Sequence, residues 1–247
     1  MDKNYFQQYY RLEREHWWFK ARQVILRKLI LKYISKESQK LKILNVGTST
    51  GYTSIWLSEF GEVKSVEYDK DCYEFVKENI GIDIVNASIE DLPFEDNYFD
   101  LVCAFDVIEH VKNDQRGVNE MARVCKDNGY IFVTVPAYQF LWSNHDVINH
   151  HQRRYTSKKL KTLFSQNDAI IFTSYFNMFL FPIIASFRLM SKLFKSSEKE
   201  VSSDFSLSNQ QGVVARIFYK IFSMESIFLK NNIIFPFGVS IGLIWKK

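Results

Sequence analysis

Cysteine is scarce in this chain, and the three present, Cys72, Cys103 and Cys125, are widely spaced and form no CxxC pair. They offer neither a zinc ribbon nor a redox dithiol, and they predict reduced thiols in a cytosolic protein. A secretory leader is also missing, because Met1-Asp2-Lys3-Asn4-Tyr5 has no basic segment followed by an apolar stretch. Cytoplasmic residence is therefore expected. Long hydrophobic runs are absent too. The most apolar window, 178–187, contains Pro182 and runs into Arg188, well short of the roughly 20 residues a spanning helix needs. Such a segment can lie on the inner face of a membrane but cannot cross it. Nor is basic charge segregated: the net charge is +4, with 32 Lys and Arg dispersed among 28 Asp and Glu. That pattern lacks the basic face of a dedicated nucleic-acid binder, so no nucleic-acid partner is expected. There is no internal repeat, and glycine is limited to 9 of 247 residues.

What is present is apolar and aromatic. Hydrophobic residues make up 47% against 24% charged, with 22 Phe and 13 Tyr, which predicts one folded core rather than disorder. Leu12, Trp18, Val24, Ile25 and Leu29 fall at helical spacing and predict one helix over 12–34, followed by a polar linker at 35–40. From residue 42 the pattern alternates. Strands are expected at 42–46, 62–68 and 82–85 and helices at 52–60 and 70–79, with Gly61 as a helix C-cap. The order βαβαβ predicts a parallel sheet with helices on both faces. The unbroken apolar run at 99–105 is the candidate centre of that sheet. A helix at 113–125, a strand at 130–135, a helix at 156–165 and a strand at 169–175 continue the pattern, while the polar, His-rich stretch 144–154 looks unlike a core element. Beyond it lie an aromatic helix ending near residue 194, a polar stretch at 195–209, a second amphipathic helix at 213–229 and a last strand at 239–245. The expected organisation is an N-terminal helical lid (1–40), an α/β core (41–175), a helical insertion (176–232) over the sheet's carboxyl edge, and a returning strand (233–247).

The chemistry concentrates in three places. Asn45-Val46-Gly47-Thr48-Ser49-Thr50-Gly51 follows a strand and opens a helix, where bare backbone and helix N–H groups can face a ligand. Ser49 and Tyr52 occupy positions where a dinucleotide fingerprint has glycines, which argues against NAD. Glu67 ends the next strand, 20 residues after Gly47, where a carboxylate can accept ribose hydroxyls. The third is the acidic and aromatic turn from Glu90 to Asp100 that enters the central strand.

With these motifs the chain resembles the class I S-adenosylmethionine-dependent methyltransferases of the type 11-like branch. The resemblance covers about 41–136 through Leu44-Asn45-Val46-Gly47, Val66-Glu67-Tyr68-Asp69, Asp91-Leu92-Pro93-Phe94 and Asp106-Val107-Ile108-Glu109-His110. It implies a Rossmann-like, doubly wound, seven-stranded, mostly parallel sheet with an antiparallel last strand, and S-adenosylmethionine as cofactor. His16-Trp17-Trp18-Phe19 and His151-Gln152-Arg153-Arg154-Tyr155 also resemble a bacterial subgroup linked with surface-polysaccharide or lipid pathways. The implied reaction is methyl transfer to oxygen or nitrogen of a small or lipid- or glycan-linked acceptor. The rival readings are a catalytically silent cofactor-binding scaffold and an RNA methyltransferase.

Residue by residue, the resemblance implies that Asn45, Gly47, Ser49 and Gly51 line the methionine moiety and that Glu67, with Tyr68 beside it, holds the ribose. It likewise sets Ser88 and Ile89 by the adenine and Phe105 beneath the sulfonium. Asn45 and Ser88 stand where the family often has acids, which predicts weaker cofactor binding. Arg22, on the N-terminal helix with Trp17 and Trp18, is the candidate partner of the methionine carboxylate, the alternative being that the aromatics anchor the helix. His110, oriented by Glu109, is a candidate base, and Asp106 a candidate group to polarise the acceptor. His145, Asp146, His150 and His151 offer a further base or acceptor contact, but their spacing matches no zinc pattern and no metal is expected. Arg153 and Arg154 read either as an anion clamp or as a solvated pair. The aromatic 176–187 segment with Arg188, Lys192 and Lys195 predicts a lipid or peripheral membrane contact, or else the filling of its own core.

Overall fold

The computed structural model describes residues 3–35, 40–164, 169–193 and 212–247. Two helices, α1 (Lys3–Glu15) and α2 (Trp17–Tyr33), precede the sheet. The single helix expected over 12–34 is thus two, because His16 is extended (φ −70°, ψ 134°) and its Nδ1 accepts the Trp18 N–H at 3.2 Å as the cap of α2. Apolar spacing continues across the break, so periodicity does not register it.

The core alternates β1 (Leu41–Val46), α3 (Tyr52–Leu57), β2 (Gly61–Glu67), α4 (Lys70–Asn79), β3 (Ile84–Asn86), β4 (Phe99–Phe105), α5 (Asp114–Val124) and β5 (Cys125–Pro136). Polar caps begin two of these helices: Asp69 accepts the Cys72 N–H at 3.0 Å and Asn113 the Arg116 N–H at 3.1 Å. Gly61 is not a helix cap. It opens β2 opposite Leu41, and a Cβ on it would lie 1.9 Å from the Leu41 carbonyl oxygen, so close strand approach is what requires glycine. After β5 come α6 (Asn144–Ile148), α7 (Ser157–Lys161), β6 (Ile170–Phe176), α8 (Phe181–Leu193), α9 (Val213–Lys230) and β7 (Ser240–Lys246). The polar stretch at 195–209, Lys195 and the expected helix ends at 165 and 194 lie outside the described residues.

The seven strands form one sheet in the order β3-β2-β1-β4-β5-β7-β6. All pairs from β3 to β5 are parallel, and β7 runs antiparallel to both β5 and β6. This is the Rossmann-like, mostly parallel α/β fold. β4 lies at its centre, its Leu101, Val102, Cys103 and Ala104 wholly buried, as a strand covered on both faces should be. Between β1 and β4 the chain reverses its direction of growth, opening a crevice beyond the carboxyl ends of the strands. α9 packs against the N-terminal helix α2. Trp17 packs edge-on against Phe218 at 5.3 Å, and the Lys28 ammonium donates to Ser226 Oγ at 2.9 Å, joining α2 to α9.

Candidate active site

A cavity of about 1630 Å³ occupies that crevice, larger than the ~300–1,000 Å³ of a single small-ligand pocket. It has room for two molecules side by side. One end is walled by Gly47, Ser49, Glu67, Ser88 and Ile89, the other by Asp106, Glu109, His110, His145 and His151. Phe105, Trp56 and Arg22 lie on the wall as well, with the Phe105 ring edge-on to Phe132 at 5.0 Å.

The loop after β1 is bare by necessity. Gly47 has φ +73°, and a Cβ there would lie 2.4 Å from Val107 Cγ2. The Ser49 N–H donates to Glu67 Oε2 at 2.8 Å and the Asp69 N–H to Oε1 at 3.0 Å. Each oxygen therefore keeps lone-pair capacity toward the cavity. Burial raises the Glu67 pKa, opposed by these backbone hydrogen bonds. Ser88 Oγ accepts the Glu90 N–H at 3.1 Å, and Tyr68, 77% exposed, stands at the rim.

Asn45 and Gly51 do not reach the wall. Asn45 Nδ2 donates to Ser54 Oγ at 2.8 Å beneath the loop, tying β1 to α3. Gly51 has φ +85° and caps α3, and a Cβ on it would press on Ile80 at 3.3 Å. Both residues shape the loop from behind, where its offset in sequence cannot distinguish front from back.

A carboxylate not anticipated from the sequence covers the same loop. Glu13 of α1 is buried, accepts a hydrogen bond from the Thr50 hydroxyl and lines the cavity. Desolvation pushes its pKa up to about 7, against the Thr50 hydrogen bond and the charges of Arg14 and Arg22. No local pattern singles it out, since it lies 37 residues from its hydrogen-bond partner.

At the far end, Asp106 is held in a left-handed conformation (φ 57°). Its Oδ2 is 2.9 Å from Arg22 Nη2, and Thr134 Oγ1 is 3.1 Å from Oδ1. Arg22, the candidate partner of the methionine carboxylate, lines the cavity with its charge answered by Asp106. His110 meets His151 edge to face with ring centroids 4.6 Å apart, and burial, then the neighbouring His151, lowers its pKa to about 4. A neutral imidazole can accept a proton, though weakly at that value.

The stretch 144–154, expected outside the core, supplies buried groups. Asp146 and Arg154 are paired within it: Nε and Nη2 donate to Oδ1 and Oδ2 at 2.8 and 2.9 Å. His151 Nδ1 meets Asp146 Oδ1 at 2.8 Å. Burial works against ionisation of Asp146, but the His151 and Arg154 hydrogen bonds hold its pKa well below the usual carboxylate range. Arg153 pairs with Asp114 at 2.8 Å. The two arginines are therefore neither an anion clamp nor a solvated pair; their charges are spent on internal carboxylates. Arg188, expected to face a membrane, is buried and donates to the Leu141 carbonyl at 2.9 Å. Lys192 likewise donates to the Phe140 carbonyl at 2.7 Å.

With this geometry in view, the chain can be set beside known proteins. Residues 44–133 match the methyltransferase domain family. The match spans the strands and loops from β1 to β5 that carry one wall of the cavity. A protein of Mycobacterium tuberculosis named as a probable S-adenosylmethionine-dependent methyltransferase is 28% identical over 127 residues, covering 51% of this chain and 44% of that one. A chloroplastic 2-methyl-6-phytyl-1,4-hydroquinone methyltransferase of Oryza sativa is 28% identical over 111 residues, 42% of this chain and 32% of its own. The chain thus spans under half the length of either relative. A solved S-adenosylmethionine-dependent methyltransferase structure from Thermotoga maritima shares the fold across 99% of this chain and 95% of its own, with a TM-score of 0.59 at 14% identity. The matched segment contains the Gly47 loop, Glu67, Ser88 and the Asp106 to His110 corner; α1, α2, His145 and His151 fall outside it.

Proposed function

We propose that the protein is an S-adenosylmethionine-dependent methyltransferase acting on oxygen or nitrogen of a small, apolar or lipid-linked acceptor. The observation that carries this reading is one continuous cavity lined at one end by the Gly47 loop and Glu67 and at the other by Asp106, His110 and His151.

The residues present fit the cofactor. The bare Gly47 backbone admits a close ligand, and Glu67 has lone pairs left for two ribose hydroxyls. S-adenosylmethionine supplies a methyl group already activated on a sulfonium, so the demands on the protein are alignment and exclusion of water. Phe105 offers its ring to that cationic region. Glu13 offers the negative charge that Asn45 does not, from a helix far away in sequence.

Acceptor selection falls to the other end. Ile183, Ile184, Phe187 and Phe218 line the cavity, and Ile183, Phe187, Met190, Val213 and Val214 are exposed apolar side chains on α8 and α9. This surface favours an acceptor with an apolar tail entering from a membrane face, and the hydroquinone in the plant relative's name carries a phytyl group. No helix among the described residues is long and apolar enough to cross a membrane.

Titration calorimetry with S-adenosylmethionine tests the assignment. Saturable binding weakened by Glu67→Ala, by about 1–3 kcal/mol for the lost hydrogen bonds, is expected. No binding by the wild-type protein would refute it.

A further inference from the structure

Glu109 is a buried carboxyl group with no ion-pair partner of its own; burial raises its pKa well above the usual range, against the more distant charges of Arg22 and Arg154. It is 0% exposed, and neither Oε1 nor Oε2 has a partner beyond its own backbone N–H. Leaving a carboxylate in that state is costly, and native proteins seldom do so without a reason. The nearby cations are already engaged: Arg22 is paired with Asp106 and Arg154 with Asp146.

Two imidazoles share the site with Glu109. One potential ligand atom from each of Glu109, His110 and His151 lies within 4.8 Å of the other two. Tetrahedral coordination with bonds of about 2.1 Å places ligand atoms roughly 3.4 Å apart, so modest side-chain rotation would close the set. Both rings are anchored on their outer side. His151 Nδ1 is bound to Asp146, an ionised carboxylate that can only accept, so Nδ1 carries the proton and Nε2 the lone pair. Asp146 is itself fixed by Arg154 and by the Ser143 N–H at 2.7 Å. His110 donates to the Asn149 backbone carbonyl, leaving its other nitrogen as the acceptor. A ligating histidine whose second nitrogen is held by a carboxylate or carbonyl is the usual outer arrangement of a metal site.

We propose that Glu109, His110 and His151 form a binding site for one divalent transition-metal ion, open toward the cavity. Two imidazoles and one carboxylate suit Zn²⁺, Mn²⁺ or Fe²⁺ and disfavour Mg²⁺, and three protein ligands leave positions for a water or an acceptor oxygen. The ion supplies the positive charge that Glu109 lacks. Its use in the reaction rests on the methyl-transfer reading: an acceptor hydroxyl bound at an open position is acidified and releases its proton to solvent. The binding site itself does not depend on that reading.

The test uses the full chain, treated with chelator and then titrated in the calorimeter with ZnCl₂, with MnCl₂ and MgCl₂ in parallel. Co²⁺ absorption in the visible range serves as the ligand-field readout. One Zn²⁺ per chain is expected, with affinity reduced at least tenfold by Glu109→Gln and by His151→Gln and little response to Mg²⁺. His151→Gln serves if Glu109→Gln does not fold. The proposal is overturned by a wild-type protein that does not bind Zn²⁺, Mn²⁺ or Co²⁺ saturably, or by undiminished binding in folded variants. S-adenosylmethionine titrated into the same preparation separates the two ideas. Cofactor binding without metal binding rejects the metal site alone, whereas the reverse rejects the methyltransferase reading and leaves the site standing.

Discussion

Arg22 in α2 and Asp106 at the end of β4 form an ion pair at 2.9 Å, with Thr134 of β5 hydrogen-bonded to both. Through this contact the N-terminal helices become part of the cavity wall. The pair also holds Asp106 in its left-handed conformation beside Glu109. Arg22→Met would strand the Asp106 carboxylate with Thr134 as its remaining side-chain partner, and a loss of about 2 kcal/mol in urea unfolding free energy is expected. An unchanged midpoint and slope would show that the pair contributes nothing.

Gly47→Ala meets two obstacles, a positive φ and a Cβ 2.4 Å from the stiff Val107 side chain. The expected cost is about 1–3 kcal/mol of stability, together with weaker S-adenosylmethionine binding as the loop shifts. Denaturation and calorimetry on the same variant measure both, and a variant as stable as wild type would refute the clash.

Glu13, with its pKa near 7, makes cofactor affinity depend on pH. A cationic ligand favours the ionised carboxylate, so binding should tighten as pH rises from 6 to 8. Glu13→Gln should bind more weakly at pH 8 and lose most of that dependence. A variant retaining the full pH profile would locate the titrating group elsewhere.

Glu225 bears on stability instead. It is fully buried in α9 and accepts the Asn177 and Phe179 N–H groups at 2.6 and 2.9 Å; burial raises its pKa from 4.5 to about 7. The folded state holds this proton more tightly than the unfolded state. Its contribution is therefore complete below pH 4.5 and is lost as pH rises through 7. Wild-type stability relative to Glu225→Gln should fall by up to about 3 kcal/mol across that interval. Parallel stability curves for the two proteins would contradict this.

The alternation of short apolar strands with amphipathic helices was legible along the chain, since each period is a local property of a few consecutive residues. That is why β4 could be identified as the sheet centre and Glu67 as a strand-end carboxylate 20 residues after the loop glycine. The His16 break was invisible for the same reason, because a change of one residue's ψ leaves the apolar spacing intact.

The sequence by itself therefore determined the sheet, the loop position and the identity of the groups available for chemistry. Only the tertiary structure decided which of them meet. Glu13 faces the Gly47 loop, Arg22 neutralises Asp106, and Arg154 fixes Asp146, which holds His151 beside His110 and Glu109. Burial and charge pairing arise between elements brought together by folding, and the state of a buried carboxylate depends on its neighbours in space.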